Sequence, residues 1–228
     1  MEKLKITDLR QGVKNQNRVN VFVDSVYSFS LDISQVVDFH LKVGMEISSE
    51  QLDEFRRASE FGKLYQRTLE WVLTRPRSER ETRDYLRRKL SKLSSDTLKG
   101  VTSCAFGERP SLRSLDSLLE LLPDIISRLK AHGYIDDYKF AEWYVENRFV
   151  KKGVSQKRLK MELMKKGVSS EIIEEVLSDS ERNDEDEIRK IIAKKRAKYD
   201  DEKLIQYLCR QGFSYQQVQD LVRSCGTD

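Results

Sequence analysis

Val154-Ser155-Gln156-Lys157-Arg158-Leu159-Lys160-Met161-Glu162-Leu163-Met164-Lys165-Lys166-Gly167-Val168-Ser169 decides the fold, because its pattern returns later in the chain. Residues 154–177 lie over 199–222 at a fixed offset of 45. Leu159 then meets Leu204, Leu163 meets Leu208, Gly167 meets Gly212, Ser169 meets Ser214, Val176 meets Leu221 and Leu177 meets Val222. Apolar residues four apart mark one buried side of a helix. The glycine that follows supplies the left-handed backbone that ends it. A fainter third copy aligns Ser78 with Ser155 and Leu86 with Leu163 at an offset of 77. Each unit reads as helix–turn–helix–helix of about 45 residues, with too little core to stand alone, so neighbours must share buried faces.

Outward from this stretch the helical pattern holds from about residue 60. Phe140, Ala141, Tyr144 and Val145 form one stripe, and Ile172, Ile173, Val176 and Leu177 another. In the first copy the third helix is displaced to about Leu119–His132. The insertion 91–117, with many serines, Gly100, Gly107 and Pro110, reads as a loop or partly disordered segment. The first sixty residues differ in texture. Val19, Val21 and Val23, and then Tyr27, Phe29 and Leu31, alternate with their neighbours around Asp24-Ser25, which reads as a β-hairpin. Lys3–Leu9 is a further candidate strand, and a short helix falls near Ser34–His40. Ser48 and Gln51 have the spacing of a capping box at the start of the next helix. The expected organisation is mainly α: a small β-hairpin-containing N-terminal domain over 1–47, then three tandem three-helix repeats in an elongated curved array. The repeats cover 48–135, with the insertion, then 136–180 and 181–228.

Composition narrows the function classes. Hydrophobic residues make up 38% and charged residues 35%, a polar balance that suits an extended helical array with much exposed surface. No apolar run approaches the roughly 18 residues of a membrane span, and Met1-Glu2-Lys3-Leu4-Lys5 lacks a secretory signal. Three cysteines, Cys104, Cys209 and Cys225, have no metal spacing, and their odd number fits reduced cytosol. Net charge is only +4 but is segregated. Residues 61–92 carry 10 basic and 4 acidic side chains, 136–167 carry 9 and 5, and 188–228 carry 9 and 5. Between the last two blocks, 168–187 carries 1 basic against 9 acidic. Such blocks point to a polyanion or acidic partner met at several places.

The basic clusters recur near the junction of first and second helices. They are Arg75, Arg77, Arg80, Arg83, Arg87, Arg88 and Lys89; then Arg148, Lys151, Lys152, Lys157, Arg158 and Lys160; then Lys194, Lys195, Arg196 and Lys198. Ser78 with Glu81 reads as another capping box, after which Arg80, Arg83 and Arg87 share one helix face, able to meet phosphates or carboxylates together. Any one cluster is most simply a solvated helix face; recurrence at one place in the unit makes a common binding surface the better reading. Trp71, Tyr144 and Phe149 have stacking chemistry, but their helical spacing makes them core residues first, and Tyr134 and Phe213 read as packing residues at turns. Catalysis finds little support. His40 and His132 lie far from any cysteine in sequence, and no phosphate-cradling glycine loop occurs. Asp136-Asp137 reads as a helix cap, and the acidic run 184–187 as a solvated helix start. No metal or cofactor is expected.

Several stretches together resemble the RecX family of bacterial recombination regulators. They are Arg75 to Leu90, Gly133-Tyr134-Ile135-Asp136-Asp137-Tyr138-Lys139-Phe140-Ala141 continuing to Arg148, Lys151 to Gly167, and Arg210 to Tyr215. The N-terminal hairpin is similar to the extension of longer members. The resemblance implies a non-enzymatic, cytoplasmic, monomeric protein that lodges on RecA filaments formed on single-stranded DNA, with weak duplex binding at most. It implies modulation, usually inhibition, of strand exchange, ATP hydrolysis and co-protease activity. Carried onto this chain, the basic residues above become candidates for contacts with RecA or DNA. Two other readings compete: a helix-turn-helix DNA-binding protein using Gly167-Val168-Ser169-Ser170 as its turn, and a nuclease using Asp136, Asp137 and the acidic run.

Overall fold

Alternating side chains between residues 4 and 32 build a sheet because each strand has one apolar face to bury. In the computed structural model, which describes residues 3–13, 15–99, 119–149 and 152–224 (92–99 as backbone alone), four strands pair in the order β3-β2-β1-β4. They are β1 (Leu4–Gln11), β2 (Arg18–Val23), β3 (Val26–Asp32) and β4 (Glu46–Ile47), and every pairing is antiparallel. The hairpin sets Val21 opposite Phe29 and Val19 opposite Leu31. Its turn residues Asp24 and Ser25 have φ of 49° and 70°, which two-residue hairpins demand and serine resists. β1 compensates: Asp24 Oδ1 accepts from the Lys5 N–H at 3.1 Å, and the Ser25 N–H donates to Thr7 Oγ1 at 2.8 Å.

Short helix α1 (Ile33–Asp38) follows, and then α2 (Ser49–Val72) lies on the sheet. Both halves of the box at Ser48 and Gln51 form, so two otherwise unpaired helix-start N–H groups are bonded. Phe55 and Leu52 of α2 close a core of Ile6, Val21, Val23, Phe29, Leu31, Leu41 and Ile47. α3 (Glu79–Lys99) and α4 (Leu122–Ala131) contribute buried Leu86, Leu90, Ile125 and Leu129. The loop expected from residue 91 is corrected here: α3 continues through Lys99. Serine and threonine cost a started helix only tenths of a kcal/mol each, and no glycine intervenes before Gly100. The rest of that insertion, with Cys104 and Cys225, lies outside the described residues.

The chain divides into two units, 1–73 with 84–131, and 74–83 with 132–228. The second holds two helical triplets: α5 (Asp137–Asn147), α6 (Gln156–Lys165) and α7 (Ser170–Asp179), then α8 (Asp184–Lys195), α9 (Asp201–Arg210) and α10 (Tyr215–Ser224). Phe140, Ala141, Val145, Leu159, Leu163, Val168, Ile173 and Val176 fill the first core; Ile188, Ile191, Ile192, Leu204, Leu208, Phe213, Val218 and Val222 fill the second. The internal alignment therefore holds in the middle helices and slips by one in the last. Ile173 buries Val176 beside it, whereas its counterpart Val218 buries Val222, and Leu177 and Leu221 are only partly buried. Positions three and four apart face the same way on a helix, so either serves. Of the two expected turn residues, Phe213 is buried, but Tyr134 is 41% exposed against His132.

Candidate functional site

The second unit is assembled through one joint made twice. In the first, the Ser78 hydroxyl accepts from the Glu81 N–H at 3.1 Å and donates to the Lys166 carbonyl at 2.7 Å, at the end of α6. Asp137, the first residue of α5, accepts from the Glu79 N–H at 2.8 Å. In the second, the Ser155 hydroxyl accepts from the Arg158 N–H at 3.2 Å and donates to the Gln211 carbonyl at 2.8 Å, while Asp184 accepts from the Gln156 N–H at 2.8 Å. Both serines are fully buried, and each satisfies one free donor of its own helix and one free acceptor of the next. Gly167 and Gly212 follow those carbonyls with φ of 86° and 96°. A Cβ on Gly167 would stand 2.7 Å from Arg80 Cβ, and one on Gly212 would stand 2.8 Å from Ser155 Oγ. Left-handed backbone and close packing thus require glycine at both places.

This arrangement corrects several sequence expectations. Glu81 does not return to complete a capping box at Ser78. Its carboxylate pairs with Lys166 at 2.5 Å and Arg75 at 3.2 Å. Asp136 is the helix cap anticipated, accepting from Tyr138 and Lys139, but Asp137 is part of a joint. The acidic run is not merely a solvated helix start. Glu187 is 2% exposed, bound to Arg182 and Lys190, and accepts from the Val154 N–H at 2.9 Å. Burial opposes its charge, yet hydrogen bonds from Arg182, Lys190 and Val154 hold its carboxyl below the usual range. Asp184 moves the other way, raised by burial despite its bond from Gln156.

The basic candidates fall into two groups. Some are committed to the scaffold. Arg75 lies over the Trp143 ring at 5.0 Å as well as beside Glu81. Arg148 and Arg158 both bind Glu162, at 2.7 and 3.2 Å, and Arg158 also reaches the Gln211 side chain. The Tyr144 hydroxyl donates to the same carboxylate at 2.6 Å. Burial disfavours the Glu162 charge, but the bonds from Arg148, Tyr144 and Arg158 prevail and hold its pKa at about 2. Tyr144 is pushed up to about 12 by burial and then by its bond to Glu162. Arg77 is half-buried and bonded to Thr74, Lys160 pairs with Glu174, Arg83 with Glu79, and Arg196 with Asp201. Lys195 lies over Tyr199 and Tyr207. The other group faces solvent: Arg80, Arg87, Arg88 and Lys89 on α3, Lys152 and Lys157 around the start of α6, and Lys194 and Lys198 at the end of α8. Lys151 lies outside the described residues. The third cluster differs in placement, because α9 itself opens with Asp200, Asp201 and Glu202 rather than basic residues.

Among the aromatics, Trp71 stacks on Tyr85 with ring centres 4.2 Å apart, and Phe149, at φ 48°, has the Arg148 guanidinium 3.7 Å from its ring centre. Sequence reasoning missed Glu162, Arg182 and Glu187. Only Glu162 left a signal, four residues after Arg158 on one helix face. Among the described residues, no three His, Cys, Asp or Glu side chains gather as a metal site, and no helix is long and apolar enough to cross a membrane.

Comparison with known proteins places these elements. Residues 4–48 match the regulatory protein RecX N-terminal domain, and 136–177 match the RecX second three-helix domain. A regulatory protein RecX of Bacillus licheniformis is 29% identical over 218 residues, covering 92% of this chain and 73% of that protein. One of Bacillus velezensis is 30% identical over 173 residues, covering 76% of this chain and 56% of that protein, so the match spans little more than half the relative's length. A crystal structure of regulatory protein RecX shares the fold at a TM-score of 0.66 and 20% identity, covering 97% of this chain and 99% of that one. On the sheet-bearing N-terminal segment, the 136–177 triplet and these relatives together, the chain belongs to the RecX family of regulatory proteins.

Proposed function

We propose that this protein binds RecA filaments on single-stranded DNA and modulates, in the inhibitory direction, the recombinase, ATPase and co-protease activities of RecA. In this reading 48–135, 136–180 and 181–228 act as three tandem three-helix repeats in a curved array, behind an N-terminal domain over 1–47, in a cytoplasmic monomer. The observation that carries it is the division of the basic side chains. The scaffold neutralises Arg75, Arg148 and Arg158 with its own carboxylates and leaves Arg80, Arg87, Lys157, Lys194 and Lys198 in solvent. Exposed cations in serial order suit a polyanionic filament, whose phosphates would add a salt-dependent contribution.

Saturable binding to RecA filaments assembled on single-stranded DNA, with a changed RecA ATPase rate, is the expected result. Absence of both at low salt with the cognate RecA would sink the reading. Charge reversal at Arg80, Arg83 and Arg87 together is expected to weaken binding more than reversal at Glu171, Glu174 and Glu175. Equal losses would mean that the binding face lies elsewhere. Following ATPase decay after addition to growing and to full-length filaments separates a cap on growth from a block along the groove.

A further inference from the structure

The outer face of α6 carries something that the repeated scaffold does not require. Leu159 and Leu163 are buried at 1% and 0% exposure. Helical spacing therefore turns Lys157, Lys160, Met161, Met164 and Lys165 outward as one strip. Met161 is 49% exposed and Met164 43%. Lys160 reaches Glu174 at 2.7 Å, whereas Lys157 and Lys165 are exposed and outside the ion pairs found among the described residues. The matching strip on α9, 45 residues on, reads Glu202, Ile205, Gln206, Cys209 and Arg210. Gln206 stands exposed where α6 has Met161, on the same kind of helix in the same kind of triplet. Packing thus leaves a polar residue free to occupy the place of Met161, while the half-buried Cys209 stands at the place of Met164; α6 presents a pair of exposed thioethers instead.

We infer that this strip is a docking face for a protein segment with an apolar side chain flanked by carboxylates. The inference rests on the filament reading above and assigns the segment to the filament's protein rather than to its DNA. Charge complementarity specifies the occupant. The strip has three ammonium groups, with Glu174 opposing only Lys160, so an acidic rim on the partner meets Lys157 and Lys165. The methionines decide between the two polyanions of a filament. A phosphate backbone can satisfy the lysines but leaves the thioether surface wet, whereas an apolar side chain removes it from water. Unbranched methionine also adapts its shape to a partner, as recognition surfaces use it. Exposed adjacent apolar groups inside a charged rim have the anatomy of an interface core.

The test replaces both exposed methionines of α6 by glutamine, the residue that α9 carries at the place of Met161. Full-length protein and its M161Q/M164Q variant are titrated onto RecA–single-stranded DNA filaments and, separately, onto the same oligonucleotide without RecA. The expected outcome is a loss of filament affinity of about tenfold or more with bare-DNA affinity unchanged, while M161L/M164L keeps filament binding within about twofold; tenfold corresponds to about 1.4 kcal/mol. K157E/K165E is expected to lose filament affinity as well, and it decides the matter if the glutamine variant fails to fold by circular dichroism. Filament binding by M161Q/M164Q equal to wild type overturns the docking face and leaves the filament reading intact. Equal losses on filament and bare DNA overturn it in favour of a nucleic-acid contact. Wild-type protein that binds no filament overturns both readings.

Discussion

The two joints of the second unit use one backbone design with different side-chain chemistry. Each has a buried serine bonding forward to a helix-end carbonyl, an aspartate at the next triplet's first helical position, and a left-handed glycine. Around the first, Glu81 is clamped between Lys166 and Arg75, so the bridge is ionic and partly wet. Around the second, Arg158 reaches the neutral Gln211 side chain, and the ionic component has moved inward to Glu187, Arg182 and Lys190. The difference teaches that the serine–glycine pair specifies how triplets join, while the charges around it set how strongly and under which conditions. Substitutions at matched positions can break or sharpen that contrast.

The largest effect is expected at Glu187. Glu187→Gln leaves Arg182, whose side chain is only 14% exposed, without its charge partner, and breaking a buried pair from one side costs about 3–5 kcal/mol. Urea unfolding measures it; a loss below about 1 kcal/mol would show that the pair does not hold the second joint. The pH dependence has a definite sign. The Glu187 carboxyl is held below its ordinary 4.5, so its contribution is present above that value and disappears as pH falls through the lower folded value. The glutamine variant should therefore lose less stability than wild type on acidification below about pH 4.5.

Next come the glycines. Gly167→Ala and Gly212→Ala each force left-handed backbone on an L-residue, at about 1–2 kcal/mol, and add a steric clash of about 1–3 kcal/mol. Gly167→Ala should be the worse, because the obstructing Arg80 Cβ is fixed to the backbone, while at Gly212 the Ser155 hydroxyl can rotate away at the expense of its bond. The reverse order in denaturation midpoints would show that the second joint is the less adaptable. Ser78→Ala and Ser155→Ala follow, at about 2 kcal/mol each, combining a lost helix cap with a carbonyl deprived of its partner. Here the two joints should agree. A difference above about 1 kcal/mol would separate designs that the geometry makes equivalent.

Most of this architecture was legible because it repeats: Leu159 and Leu204, Ser78 and Ser155, and Gly167 and Gly212 occupy matched places in sequence and in structure. Three things escaped, for physical reasons. The continuation of α3 to Lys99 was hidden because weak helix formers sustain a helix already begun. The burial of Glu187 was hidden because its partners are tertiary: Val154 lies 33 residues away, and Arg182 bonds back to the Val145 and Arg148 carbonyls. The sorting of basic residues was hidden because Arg148 and Arg158 look alike in composition to Lys157, and only their shared approach to Glu162 distinguishes scaffold from surface.

The smallest effect is the most selective probe of the contrast between joints. Lys166→Gln gives the first joint the amide that Gln211 supplies at the second, leaving Glu81 with Arg75 alone. The Lys166 side chain is 38% exposed, so the lost pair is worth only about 0.5 kcal/mol, and it is screened by salt. Wild type and variant should differ in dilute buffer and converge near 1 M salt, where the screening length is about 3 Å. The matched substitution Gln211→Lys sets an ammonium beside the Arg158 guanidinium. It should destabilise by a similar amount at low salt, and its deficit should shrink as salt rises. If the Lys166→Gln deficit were indifferent to salt, the ionic character assigned to the first joint would be wrong.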